Sequence, residues 1–173
     1  MHKKIRPLIA VIGFLLLSNF GSQDESVAGR IKPTINFYGS VTDTSENSYD
    51  VENITVSGMY KQVPFYAKPK NKETDPTINI TRIDFAEIAE LTVPFPEQIL
   101  TFNNRQYIEV QIVSKDPQRT TSSFIIELSK RIICDQVNTA GPIEKDLSFK
   151  ALKKIVFKGH KSPEKEKPAE ATK

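Results

Sequence analysis

Apolar residues recur at alternate positions along the middle of this chain, in runs of strand length separated by clusters of Gly, Pro, Asn, Asp and Ser. A period of two gives an extended strand one apolar and one polar face, whereas a helix needs a period near 3.6. Strands are therefore predicted over residues 35–41, 49–56, 63–67, 106–113, 123–128 and 131–137. Within 49–56 the alternation through Tyr49, Val51, Ile54 and Val56 skips phase near Glu52 and Asn53, which predicts a bulge. Residues 42–48 read as a turn, and 68–76 as a polar loop punctuated by prolines. The runs at 106–113 and 123–128 flank a turn at 116–119 and predict an antiparallel hairpin.

Helical spacing occurs twice, at Phe85, Ile88 and Leu91 and at Phe149, Leu152 and Ile155. Each segment has room for about one turn before β-like residues resume, so each predicts strand, helical turn, strand. The expected fold is all-β, a sandwich or small open barrel of about seven to nine strands with one or two short helical turns. The two segments also resemble each other. At an offset of 64, Ile83, Phe85, Ile88, Leu91 and Val93 align with Leu147, Phe149, Leu152, Ile155 and Phe157. Upstream, Tyr49 and Tyr107 begin alternating strands at an offset of 58, which would give the second half an insertion. Two readings fit: an internal duplication with halves at 35–96 and 100–160, or chance matching between alternating segments in a strand-rich chain.

The remaining organisation follows from composition. With 173 residues, 38% of them hydrophobic, the chain can bury one core of ordinary size. The first residues carry His2, Lys3, Lys4 and Arg6 ahead of an apolar run over 7–17, the pattern of an export signal. Ser26, Val27 and Ala28 offer small residues for a cut that would start the mature chain at Gly29. An uncleaved anchor reaching Phe20 is the competing reading, and a buried core helix a third. Residues 1–28 are thus expected to be a signal peptide, 29–34 a flexible lead-in, 35–160 the β domain and 161–173 a disordered charged tail.

Chemistry is sparse. The single cysteine excludes a disulfide framework and a cysteine-rich zinc site, and there is no glycine-rich phosphate loop. A formal charge of +3 is too mild to argue for nucleic acid. Cys134 could serve as a nucleophile only beside a histidine or cations, and His160 is the histidine available in the body of the chain. The alternative is a buried cysteine acting as a small apolar group. Two carboxylate sets, Asp84/Glu87/Glu90 and Asp43/Glu46/Asp50, lack the calcium-loop pattern and read as solvated surface.

The last feature is the basic set Lys150, Lys153, Lys154, Lys158 and Lys161. It reads either as a contact for an anionic surface or acidic partner, or as lysines guarding a strand edge. The sequence therefore predicts an exported, non-enzymatic binding or structural protein of the bacterial envelope or extracellular space. It needs no cofactor or metal, binds a protein partner, and meets a membrane at most peripherally. Two alternatives are an exported enzyme centred on Cys134 or a carboxylate pair, and a subunit of a secretion or surface-fibre assembly.

Overall fold

The structure, a computed structural model, describes residues 34–162. The expected signal segment, residues 29–33 of the lead-in and residues 163–173 of the tail lie outside the described residues. Eleven strands follow one another: β1 (Asn36–Asp43), β2 (Ser48–Val56), β3 (Val63–Tyr66), β4 (Ile80–Ile83), β5 (Ile88–Thr92) and β6 (Ile99–Phe102), then β7 (Arg105–Ser114), β8 (Thr121–Glu127), β9 (Arg131–Gln136), β10 (Ile143–Ser148) and β11 (Leu152–Lys161). Single 3-10 turns occupy Pro76–Ile78, Phe85–Glu87 and Phe149–Ala151.

The chain is all-β, but its eleven strands form one open sheet where about seven to nine strands in a sandwich or barrel are expected from pattern alone. The order is β10-β9-β2-β1-β11-β5-β7-β8-β3-β4, with β6 also on β7. The undercount has a physical cause. β4 and β10 each set only one apolar residue, Ile83 or Leu147, against the core, and β6 has four residues. Lys161, which composition assigns to the tail, closes β11 opposite Asn36.

Local chemistry explains the elements. Phe37, Gly39 and Val41 alternate inward along β1. The β1–β2 turn is closed by the Asp43 carboxylate, which accepts from the backbone N–H of Ser45 and of Asn47 at 2.9 Å each. The expected bulge in β2 is present: pairing with β9 shifts between Glu52 and Thr55, and Asn53 takes φ 54. Asn103 and Asn104, at φ 45 and 58, form the two-residue β6–β7 hairpin, where asparagine tolerates a left-handed backbone. Both strand–turn–strand segments form as the spacing predicts. The Asp84 side chain accepts from Ala86 N and the Ser148 side chain from Ala151 N, and each capped turn drives a phenylalanine, Phe85 or Phe149, fully inside.

One continuous core joins Ile132 and Cys134 of β9 with Val51, Ile54 and Val56 of β2, Ile155 of β11, Leu91 of β5 and Val63 and Phe65 of β3. No helical layer covers this face among the described residues, so the sheet buries it by coiling over itself.

The sheet order reads the same from both ends once halves are exchanged. Replacing β1, β2, β3, β4 and β5 by β7, β8, β9, β10 and β11, and the reverse, turns β10-β9-β2-β1-β11 into β4-β3-β8-β7-β5, which is the other half of the sheet. Registers agree as well. Leu91 pairs with Ile155, its own counterpart at an offset of 64, so a pseudo-two-fold axis passes between them. Val41 faces Ile155 as Ile112 faces Leu91, and Val63 faces Ile83 as Ile132 faces Leu147. The upstream alignment of Tyr49 with Tyr107 is corrected. Tyr107 of β7 corresponds to Asn36 of β1 at an offset of 71, and the longer connection is in the first half, between β3 and β4. β6 is the continuation of β5 along β7, with Ile99 opposite Ile108 where β11 sets His160 opposite Phe37. Pro94 and Pro96 in the longer excursion between β5 and β6 break the run that β11 makes continuously.

Candidate interaction surface

The lysines of β11 are brought together, but against carboxylates of the β1–β2 turn, β2 and β5. Lys153 bonds Glu46, Lys158 bonds Asp50 at 2.7 Å, Lys161 bonds Glu52 at 2.8 Å, and Lys154 lies 3.9 Å from Glu90. Lys161 holds the Glu52 carboxyl below the usual carboxylate range, and Glu52 raises Lys161 in turn. Such exposed pairs add little to stability, yet they cancel the field that an anionic surface would read. Lys150 has no ion-pair partner among the described residues, so it is what the set leaves for such a contact. Glu90 and Lys154 occupy equivalent positions across the pseudo-two-fold axis with opposite charge, an attractive pair where β5 meets β11.

The residues with catalytic potential are dispersed. Cys134 is fully buried on β9, and His160 is exposed on β11 with its ring against Phe37. β2 and β1 lie between those strands, a lateral separation of about 14 Å at normal strand spacing, so no thiol–imidazole pair forms. Asp43 and Asp84 cap turns, and Glu46, Asp50 and Glu90 face lysines. Among the described residues no cluster of His, Cys, Asp or Glu has metal-binding geometry.

A second, smaller aromatic cluster was not visible as a unit in the sequence. Tyr66, Phe102, Tyr107 and Ile125 pack beside Leu100, with Tyr107 edge-on to Tyr66 at 5.9 Å and to Phe102 at 6.1 Å. The Tyr107 hydroxyl is buried without a hydrogen-bond partner among the described residues, and burial raises the pKa of that phenol. A buried unsatisfied polar group costs about 1–3 kcal/mol. Tyr107→Phe should therefore raise stability by about 1 kcal/mol in urea denaturation. A loss of stability in that variant would show that the hydroxyl is satisfied in solution.

The two ends of the sheet differ from the rest of the surface. β4 and β10 each have one neighbour, β3 and β9, which leaves a row of backbone donors and acceptors on the outer side of each. Five large hydrophobic residues are exposed among those described, and three of them sit at these ends. Ile78 (74% exposed) and Ile80 (43%) lie at β4 and Ile143 (46%) opens β10, while Val137 (53%) follows β9 with its N–H donating to the Asp50 carbonyl of β2. Phe95, between Pro94 and Pro96, is the fifth. Ile78, Ile80 and Ile143 fall outside every strand predicted from the sequence, whereas Val137 ends the strand predicted over 131–137.

These features define an all-β protein on one open, pseudo-symmetric antiparallel sheet with two unpaired ends. No protein-family model, curated protein or solved structure matches the chain.

Proposed function

We propose that this chain is an exported, non-enzymatic binding or structural protein of a bacterial envelope or extracellular space, acting through its strand edges. The observation that carries the reading is the pairing of open sheet ends with exposed branched apolar side chains, since such edges accept an added strand. Export rests on the basic start and apolar run of residues 2–17. The subunit-of-an-assembly reading draws on the same ends, of which one molecule has two. The burial of Cys134 and its distance from His160 weigh against a thiol enzyme.

We further infer that the halves at 35–96 and 100–160 descend from one duplicated unit, with β3–β4 and β9–β10 exchanged between them. Correspondence of every strand pairing and of the registers supports this origin. Curling of the sheet over its own apolar face also supports a sandwich-like closure.

Crosslinked affinity purification from fractionated native cells, with the intact mass of the bait read in the same sample, tests the function. The expected result is an envelope or extracellular fraction, a mass that lacks about 28 residues, and a stoichiometric protein partner or a self-assembly. A cytoplasmic chain retaining its first residues would overturn export.

A further inference from the structure

We propose that copies of this chain associate end to end, with β4 of one molecule adding as a strand to β10 of the next. Three observations converge on a second copy as the occupant. First, both strands terminate the sheet, and the exposed apolar residues concentrate beside them. Second, the charges are complementary. β4 carries Arg82 and no acid, whereas β10 carries Glu144, its second acid Asp146 being already paired with Arg131 of β9. Third, an antiparallel register that sets Arg82 against Glu144 also sets Ile83, at the margin of the core, against Ile143, with Ile80 then opposite Asp146.

Self-pairing of like ends is disfavoured by the same charges. β4 against β4 brings Arg82 towards its own copy, and β10 against β10 brings the acids of both strands together, which costs energy where like charges face each other. Because the complementary ends lie at opposite limits of one sheet, each added molecule presents a fresh end. The contact is heterologous and does not need to close, so the assembly grows as a filament or ring. This inference deepens the structural reading above and rests on it, but it does not require export.

The test uses the full chain as purified from the producing cells, together with Arg82→Glu, which sets a carboxylate against Glu144, and Ile143→Lys, which sets a charge against Ile83. Both positions are exposed, so each variant should keep the melting temperature of the parent. Sedimentation velocity over a range of concentrations should show the parent growing beyond a dimer. Each variant alone should stay monomeric, because one partner in every junction is blocked. An equal mixture of the two should give a heterodimer and nothing larger, since one intact β4 then meets one intact β10. A parent that is monomeric throughout overturns the inference, as does a homodimer of Arg82→Glu or an oligomer that neither variant affects. A monomer that captures an envelope protein in the affinity experiment overturns end-to-end assembly and leaves the binding function standing.

Discussion

Phe85→Ala should lower the stability of the protein by about 3–5 kcal/mol, and Phe149→Ala by a similar amount. Both rings are fully buried, and both enter the core from capped 3-10 turns that lead into the central strand pair β5 and β11. Phe85 stands edge-on to Phe37 at 5.7 Å and lies 4.8 Å from Phe157, so its removal strips contacts from β1 and β11 together. The surrounding backbone is held in ladders on both sides of β5, which limits collapse into the vacated space. Urea denaturation followed by circular dichroism measures the loss through the midpoint. A loss below about 1 kcal/mol for either variant would mean that the turn is not an anchor of the core.

That the two phenylalanines are equivalent was legible before any coordinates. Their spacing to Ile88 and Leu91, and to Leu152 and Ile155, is local, and local spacing survives in a sequence. The bulge at Asn53 was legible for the same reason. The partner exchange was not, because β2 pairs with β9 and β3 with β8, and no sequence-local signal records which distant strands meet. The upstream alignment failed through the degeneracy of a period of two. Any alternating strand matches any other, so Tyr49 of β2 could be laid on Tyr107 of β7 although their counterparts are Ser122 and Asn36. The lysines of β11 read as an uncompensated basic run because their partners are remote in the chain. Lys158 meets Asp50 and Lys161 meets Glu52 across 108 and 109 positions. The candidate ends were hidden for the opposite reason: an edge strand that sets a single apolar residue, Ile83 or Leu147, against the core gives too little alternation to announce a strand.

Gly39→Ala should be among the most damaging single changes in the protein, costing about 3 kcal/mol, at the upper end for inserting a methyl group into a packed site. A Cβ on Gly39 would lie 1.9 Å from the Val156 carbonyl oxygen and 3.2 Å from Phe157 Cα. Both atoms belong to the backbone of β11, which cannot rotate aside as a side chain can. The pairing of β1 with β11 slips by one residue between Tyr38 and Gly39, and this slip presses the two backbones together. The counterpart of Gly39 in the other half is Val110, which tolerates a side chain because the neighbouring run is interrupted there. β5 pairs as far as Gln111 and β6 resumes at Ile108, so Val110 faces the break between them. Glycine at one position and valine at the other therefore record a continuous β11 against a divided β5 and β6. Gly159→Ala supplies the internal control. Its Cβ would meet the Tyr38 hydroxyl at 2.8 Å, the mobile tip of a side chain, and should cost clearly less than Gly39→Ala. Thermal melts of the two variants side by side decide the matter, and equal stabilities would show that β11 shifts freely against β1.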